Sequence, residues 1–417
     1  MGILSGRQMR AVCEGFCPFE DSGGLKPEKD RVTILAANAF QPLDVMCRAY
    51  VMAASGGEGS PILVQLSFSA LKTAGGGNMA AGALLAKGMM EDLVSQYPAG
   101  YVGMTLDHFR VPGFPAPREE SSEGQGPGLR LGLRLAKARI EDAVEAARGV
   151  PGCAVTGEAV DEYVHYMTSP QYASFRRSFM AVVQAASPAW GMIDTEKLPP
   201  ALDFAVTRDI VDLIRRDLGN REIILEAEFG ATGCSGDEIT YVRLEGERLG
   251  EFARAVAAFI EYTGADAIAY PIGMEHAAKL GETHEPDVTR LIAVHREVMR
   301  TTGRYVPFAQ HGGTGAARLA LGLVGKNNVA TRFLVAGANH IADHVQRNVV
   351  GIRAGVKSAC GPAIFEGMVE ALVEAAVGKL KECNSYGRGP EIARMLGREA
   401  QPARPCCDGF EAPANVE

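Results

Sequence analysis

Three histidines in this 417-residue sequence stand where short apolar runs end. His108 follows the third such run, His276 lies just beyond the sixth, and His311 ends the seventh. Neutral imidazoles that converge from separate strands suit Zn²⁺ or a similar divalent ion, and three protein ligands leave a coordination position open for a substrate. A lone histidine is more commonly a hydrogen-bonded structural residue, but three at strand ends predict a metal site.

Acidic residues lie beside two strand ends. Asp107 directly precedes His108, so its carboxylate could transfer a proton on a substrate oxygen or, alternatively, orient the imidazole. Glu226 and Glu228 are two apart and share one face of a strand. Because Glu228 ends that strand, it fits either a group that supports a metal ligand or an alternative ligand.

A glycine-rich turn follows the third histidine. Gly312, Gly313 and Gly315 leave backbone N–H groups able to approach an anion. A helix beginning near Ala316 would add the positive end of its dipole. We therefore expect an anionic part of a ligand at this turn.

The elements that must position these residues alternate between strand and helix patterns. Eight short runs are mostly continuous in apolar residues, as parallel strands buried on both faces are. Segments with apolar residues three and four apart lie between them. The alternation predicts a (β/α)8 barrel, in which active sites lie at the carboxyl ends of the strands. The predicted strands are Val32–Asn38, Pro61–Ser67, Tyr101–Asp107, Ala189–Asp194, Glu222–Glu228, Ala267–Ile272, Tyr305–Gln310 and Asn328–Phe333. The predicted helices between them are Leu43–Ala54, Met79–Gln96, Val206–Leu218, Leu249–Tyr262 and Asp287–Thr302.

Two segments exceed a minimal barrel. We assign residues 1–339 to the barrel, including an irregular N-terminal arm over residues 1–30 and an inserted helical segment at about 115–186, after the third strand. We assign residues 340–417 to a C-terminal helical extension and an irregular tail. Neither addition carries a catalytic motif, so both are interpreted as packing or subunit-contact elements.

The bulk composition excludes several classes of protein. Hydrophobic residues make up 47% and charged residues 22%, and the net charge of −8 comes without a basic stripe, so no nucleic acid is expected as a partner. No apolar run reaches the ~20 residues that span a bilayer. Residues Met1–Arg10 lack the apolar core of a secretory signal, and we therefore expect a cytoplasmic protein without a membrane partner.

Taken together, the motifs resemble those of the class II, metal-dependent ketose-bisphosphate aldolases, which act on fructose or tagatose bisphosphates. The resemblance runs from about Val32 to Arg332. The last motif, Asn328-Val329-Ala330-Thr331, is similar to the tagatose-bisphosphate branch. The other motifs that carry the resemblance are Ala37-Asn38-Ala39-Phe40, Pro61–Ser67, Leu106-Asp107-His108, Leu225–Gly230, Thr263–Ala269, Ile272-Gly273 with His276, and His311–Gly315.

The resemblance implies a reaction and a set of roles. His108, His276 and His311 would hold Zn²⁺ or another divalent metal, and a monovalent cation is a further cofactor of this kind of enzyme. The metal would stabilise the enediolate of dihydroxyacetone phosphate, released with an aldehyde from a phosphorylated ketose. Asp107 would transfer the proton on the aldehyde oxygen. The residues implied in substrate binding are Asn38, Ser67, Lys279, Gly312, Gly313, Thr314, Asn328, Thr331 and Arg332. A sugar phosphate and further copies of the chain, as a dimer or tetramer, are the implied partners.

The sequence departs from the family pattern at a few positions. Ala277 stands where the family usually has glycine. In the loop after the fifth strand, Asp237 or Glu238 would supply the acid that moves the donor's C–H proton. Arg332 stands where an acidic residue is common, and it either binds a second anion or pairs with a helix. The alternatives are a related enzyme with a different or non-phosphorylated substrate and a non-catalytic assembly subunit.

Overall fold

The computed structural model describes residues 2–117, 127–151, 153–230, 241–274, 284–316 and 318–398. Within these ranges, eight parallel strands form a nearly closed barrel surrounded by helices, so the chain has the α/β fold of a TIM barrel. The alternating pattern predicted this fold, and the prediction is confirmed. The strands are β1 (Ile34–Asn38), β2 (Pro61–Ser67), β3 (Tyr101–Arg110), β4 (Trp190–Asp194), β5 (Ile224–Glu228), β6 (Ala267–Ala269), β7 (Ala309–Gln310) and β8 (Lys326–Val329).

The barrel closes between its sixth and seventh strands. All eight strands pair in parallel in the order β6-β5-β4-β3-β2-β1-β8-β7, so β6 and β7 are the two edges of the sheet. At the remaining gap, the backbone N–H of Ile268 donates to the carbonyl of Pro307 at 3.1 Å, and Ile268 forms a parallel bridge with Phe308. Closure brings all the carboxyl ends to one mouth, where residues far apart in sequence can meet.

Helices alternate with the strands and cover the barrel. The helices Leu43–Ala54 and Met79–Gln96 have the bounds that the sequence predicted. The second begins where it does because the side chain of Asn78 accepts the N–H of Ala81 at 3.2 Å and caps the helix. No helix in the described ranges is long and apolar enough to cross a membrane. The helices are α1 (Gly6–Gly15), α2 (Leu43–Ala54), α3 (Phe68–Ala74), α4 (Met79–Gln96), α5 (Pro127–Ala146), α6 (Gly157–Thr168), α7 (Pro170–Ala186), α8 (Pro200–Asp212), α9 (Gly246–Thr263), α10 (Val288–Thr302), α11 (Thr331–Arg353), α12 (Pro362–Glu382) and α13 (Gly389–Arg398).

The eighth strand lies earlier in the chain than predicted. The sequence prediction was Asn328–Phe333, whereas β8 begins at Lys326 and the chain is already helical from Thr331. Periodicity cannot separate a short buried strand from the first turn of a buried helix. Phe333 is fully buried as part of the helix, which explains why the apolar run extended past the strand.

The first and last helices of the described chain, α1 and α13, meet beneath the barrel. Residues 1–30 were expected to be irregular, which is wrong for α1, whose first turn carries a capping box between Ser5 and Gln8. Met9 and Val12 of α1 are buried in one cluster with Trp190 inside the barrel. Ile392 of α13 joins the same cluster, so the tail after residue 384 is not wholly irregular either. The amino-terminal end of the barrel is thereby closed.

Three helices, α5 to α7, lie between β3 and β4, where a minimal barrel needs one. The described part of 115–186 contains no strand. The cap Thr156 begins α6, whereas Ser169 ends α6 and caps α7. Helix α11 runs across the predicted boundary between residues 339 and 340. The division of the chain into a barrel and an extension remains a prediction.

Candidate metal centre

A β-bulge places two side chains of the site next to each other on β3. The strand changes register with β4 between Leu106 and Phe109, and His108 has a positive φ of 43°. In a regular strand, successive side chains point to opposite faces, but a bulge re-aims them. Asp107 and His108 can therefore both face the mouth of the barrel. A left-handed conformation in a non-glycine residue is strained and typical of functional sites.

Two imidazoles face each other across the mouth. Nε2 of His108 lies 3.1 Å from Nδ1 of His311. On the far side of each ring, Nδ1 of His108 lies 3.0 Å from Oδ2 of Asp194, and Nε2 of His311 lies 3.1 Å from Oε1 of Glu226. Each ring thus turns one nitrogen to the centre and the other to a buried carboxylate, as metal-binding histidines do.

The donor set at this point fits a divalent metal. One ligand atom each from Asp107, His108 and His311 lies within 4.8 Å of the others. Oδ1 of Asp107 is buried and, as far as the structure describes the chain, accepts no hydrogen bond. A buried acceptor without a donor is costly unless another group satisfies it. Imidazole nitrogens are ligands that Zn²⁺ accepts, and the carboxylate oxygen beside them is close enough to exchange a proton with a bound group.

The hydrogen bond between the two inner ring nitrogens, Nε2 of His108 and Nδ1 of His311, requires a proton, and a metal held by the same two nitrogens would replace it. Burial lowers the pKa of His108, but the carboxylate of Asp107, the hydrogen bond to Asp194 and further acidic neighbours outweigh it and raise that pKa to about 9. Burial and the charge of His108 lower the pKa of His311. In the metal-free protein, a cationic His108 can thus donate its Nε2–H to a neutral His311. Metal binding must displace that proton.

Asp194 holds the outer side of His108. Its side chain is 1% exposed, and Oδ2 also accepts from Nε of Arg110 at 3.0 Å. Burial raises the pKa of Asp194, but the hydrogen bond with His108 and the charges of His108 and Arg110 lower it to about 2. The carboxylate therefore remains charged at neutral pH and can orient the ring. The sequence reasoning placed Asp194 at a strand end but gave it no role.

Glu226 holds the outer side of His311 and is itself held by two donors. Nζ of Lys326 donates to Oε2 at 2.5 Å, and Nε1 of Trp190 donates to the same oxygen at 2.6 Å. Burial raises the pKa of Glu226, but Lys326 and the hydrogen bond with His311 lower it to about 2. Lys326 was missed because the predicted eighth strand began two residues later, and Trp190, within the predicted fourth strand, was given no role. A charged residue at the edge of an apolar strand was the available signal.

Two asparagines complete the polar lining. Nδ2 of Asn38 donates to Oδ2 of Asp107 at 3.2 Å. Nδ2 of Asn328 lies 3.4 Å from both ring nitrogens of His311. The Oδ1 atoms of both asparagines are buried and accept no hydrogen bond from the described residues. The mouth therefore offers acceptors for hydroxyl groups beside the two imidazoles.

The glycine turn follows His311 as predicted. Gly312 has a φ of 70°, and residues Gly313–Gly315 form a single 3-10 turn. A Cβ atom at Gly313 would overlap the side chain of Asn327 and the carbonyl of Asn328. Glycine is thus required both for the left-handed turn and for close packing against β8.

The helix beside this turn is not the predicted one. No helix begins at Ala316 in the described part of the chain, because residues 316 and 318–325 form bridges and turns. Instead, α11 begins beside the turn, where the backbone N–H of Arg332 donates to Oγ1 of Thr314 at 3.3 Å. Its N-cap residue, Ala330, provides no side-chain cap. The positive end of a 23-residue helix thus adjoins the turn.

Comparison with known proteins assigns the chain to a family. The family model for class II fructose-bisphosphate aldolase matches residues 177–388, just over half of the chain. This chain belongs to the class II fructose-bisphosphate aldolase family. No curated protein matches it significantly. The match spans Glu226, Glu228 and His311, whereas Asp107 and His108 precede it.

Solved structures support the fold of this aldolase-family chain. It is similar to fructose-bisphosphate aldolase from Campylobacter jejuni, with a TM-score of 0.57 and 16% identity, over 93% of this chain and 97% of that one. An aldolase described as putative from Coccidioides immitis gives a TM-score of 0.44 at 15% identity, over 87% and 94% of the two chains. A fructuronate-tagaturonate epimerase from Cohnella laeviribosi gives 0.33 at 13% identity, over 88% and 78%. The last two scores are too low to carry an argument.

The remaining predicted residues of this family member are dispersed around the mouth. Ser67 pairs in register with Asp107, and its Oγ caps α3 by accepting the N–H of Ala70 at 3.2 Å. Thr331 is the first residue of α11. Glu228 is buried and raises the pKa of His108 by its charge, but it lies outside the compact donor group.

Four predicted site residues lie outside the described residues. They are the third histidine, His276, the phosphate candidate Lys279, and the two candidate acids Asp237 and Glu238. The Ala277 departure lies there as well. Their roles remain predictions.

Proposed function

We propose that this chain is a metal-dependent aldolase, a carbon–carbon lyase. It would reversibly cleave a phosphorylated ketose, such as fructose or tagatose 1,6-bisphosphate, to dihydroxyacetone phosphate and an aldehyde. The supporting observation is the His108–His311 pair, 3.1 Å apart beside Asp107, at the mouth of a class II aldolase barrel. The proposal includes a homo-oligomer in the cytoplasm, with neither nucleic acid nor membrane as partner.

The proposed cofactor is Zn²⁺ or another divalent ion, with a monovalent cation as a further candidate. When bound, the divalent ion would act as a Lewis acid that stabilises the enediolate of the donor. His108 and His311 would hold it, together with His276 as the family resemblance implies. Asp194 and Glu226 would keep the first two rings in place.

The chain's own groups would bind the substrate and transfer protons. Asp107 would transfer the proton on the aldehyde oxygen, since its Oδ1 is buried and lies near the imidazoles. The buried Oδ1 atoms of Asn38 and Asn328 would accept hydrogen bonds from hydroxyl groups of the sugar. The amides of the Gly312–Gly315 turn and the start of α11 would bind a phosphate. Arg332, which is exposed there, would support a second anion.

The test combines metal content with product release. Protein reconstituted with Zn²⁺ is offered fructose and tagatose 1,6-bisphosphate, and dihydroxyacetone phosphate is measured by a coupled reductase. We expect release that a chelator abolishes, and a loss of about 10²–10⁴-fold in the Asp107→Asn variant with its metal retained. Cleavage of non-phosphorylated ketoses alone, measured as the aldehyde that they release, would replace the substrate class. Metal-loaded, folded protein that cleaves no ketose would overturn the proposal.

A further inference from the structure

A charged pair lies inside the barrel beneath the metal centre. Lys326 and Glu226 are both fully buried, as is Trp190. Nζ of Lys326 lies 2.5 Å from Oε2 of Glu226 and 4.9 Å from the centre of the Trp190 ring. Around this cluster the barrel interior is apolar and includes Ile224 and Ala267. A lysine is almost never so deeply buried unless it is paired.

Stability alone does not account for this pair. Removing two charges from water costs several kcal/mol per ion, and replacing a buried pair by apolar side chains of similar volume is often neutral or stabilising. The surrounding cluster already supplies apolar neighbours. The pair therefore calls for a role that an apolar pair could not fill.

The geometry of the carboxylate indicates that role. Oε2 of Glu226 accepts from both Lys326 and Trp190, while Oε1 faces Nε2 of His311. With one oxygen held by two donors, the carboxylate cannot rotate, and the second oxygen stays on the imidazole. The amide of Asn328 lies 3.4 Å from both ring nitrogens and so does not choose between them. Among the described neighbours, the carboxylate is the group that holds the Nε2 side of the ring, while Nε2 of His108 faces the Nδ1 side.

We propose that Lys326 and Trp190 are positioning residues that act on His311 through Glu226. They fix the carboxylate so that it accepts the Nε2–H of His311 and leaves Nδ1 directed at the metal. Lys326 thus acts on Nδ1 of His311 through two hydrogen bonds, one to Glu226 and one from the His311 ring to Glu226. Neither Lys326 nor Trp190 would contact metal or substrate. This inference rests on the metal site of the proposed function.

The test measures metal affinity without substrate, by competition with a chelator. Lys326→Met and Glu226→Gln should each raise the Kd for Zn²⁺ about 10- to 100-fold, as loss of a group behind a metal ligand does. The double variant should lose no more than the larger single loss, because Lys326 acts only through Glu226. Trp190→Phe removes one donor and keeps the packing, so its Kd should rise about 3- to 10-fold. This mild variant tests the proposal even if Lys326→Met does not fold.

A matched control and a second readout separate positioning from packing. Lys379 is also a buried lysine bonded to a carboxylate, at 2.6 Å from Glu382, but it lies on α12 outside the barrel. Lys379→Met should lower stability without changing the Kd. In the metal-free protein at about pH 10, where His108 is neutral and no longer donates to Nδ1, nitrogen NMR of His311 should show Nε2–H in the wild type and a mixture of tautomers in Lys326→Met.

Two outcomes would overturn the inference. The first is a Kd within twofold of wild type in all three single variants of the cluster, whatever their stability. The second is an unchanged His311 tautomer in Lys326→Met. The proposed function fails separately: wild-type protein that binds metal tightly and shows these Kd changes, yet cleaves no ketose, refutes the reaction and leaves the positioning role intact.

Discussion

At the scale of single residues, the candidate centre is a line of two imidazoles between two carboxylates. Asp194, His108, His311 and Glu226 follow one another at hydrogen-bonding distances of 3.0 to 3.1 Å. The outer carboxylates leave only the inner nitrogens for a metal. Proton and metal therefore compete for one position.

The first prediction concerns ligand identity. His108→Ala, His311→Ala and His276→Ala should each remove bound metal and activity together, because three ligands cannot be reduced to two without a large loss of affinity. Elemental analysis of the purified variants measures this. His165→Ala is the control, since His165 is half-buried on α6, where its Nε2 lies 3.3 Å from the carbonyl oxygen of Pro117. Full occupancy in all three variants would contradict the assignment.

The second prediction concerns pH. The pKa of His108 is raised to about 9, so this residue is protonated below that pH in the metal-free protein. Zn²⁺ affinity should rise about tenfold per pH unit between about pH 7 and 9 and then level off, because one proton leaves on binding. The charged imidazole also stabilises the metal-free protein fully below about pH 6.5, and this contribution is lost as the pH rises to about 9. Chelator competition across this range measures the affinity. A Zn²⁺ affinity that does not change with pH would refute the assignment of the proton to His108.

At the scale of elements, irregular segments rather than regular ones determine the site. The bulge in β3 turns two neighbouring side chains inward, and the turn after β7 meets the start of α11. The family resemblance implies that the remaining acid comes from the loop after β5. In this chain that loop carries Asp237 and Glu238, preceded by Gly233 and Gly236.

The third prediction concerns this loop. We expect Asp237 or Glu238 to close over the bound donor and remove its C–H proton, with the two preceding glycines as hinges. Replacing both by Asn and Gln should slow exchange of the donor's C–H proton with solvent about 10²–10⁴-fold, with metal content unchanged. The exchange is followed without an acceptor aldehyde. If the double variant exchanges at the wild-type rate, the base lies elsewhere.

At the scale of the whole molecule, the first and last described helices pack against the barrel. Helices α1 and α13 close its amino-terminal end, while α12 packs against α2 on its side. Helix α11 is different, because only Phe333, Gly337 and His344 of its 23 residues are buried. One exposed face of this helix is apolar.

The fourth prediction is a homo-oligomer that covers this face. Ala338, Ile341, Val345, Val349 and Ile352 recur at intervals of three, four, four and three residues. The spacing is symmetric about Val345, so two antiparallel copies would place apolar residues opposite each other, as a twofold interface requires. Light scattering should give a dimer or tetramer, and Val345→Glu should lower its mass.

A control and a contrary outcome complete this test. Val350→Glu, on the same helix but off this face, should leave the mass unchanged, although Val350 is 79% exposed. A monomeric wild type would refute the oligomer. An unchanged mass in Val345→Glu would show that the interface lies on another surface.

The sequence by itself determined the barrel and half of the centre. Continuous apolar runs alternating with helical periods suffice for a (β/α)8 fold, and residues at strand ends must meet at its mouth. His108, His311 and Asp107 were found in this way. What the sequence left open was every contact between strands: Asp194 behind one imidazole, and Glu226 with Lys326 behind the other. Asp194 is 86 positions from His108 in the sequence, and Glu226 is 85 positions from His311 and 100 from Lys326. Only closure of the barrel and the bulge in β3 bring them together, because local periodicity carries no information about register across strands.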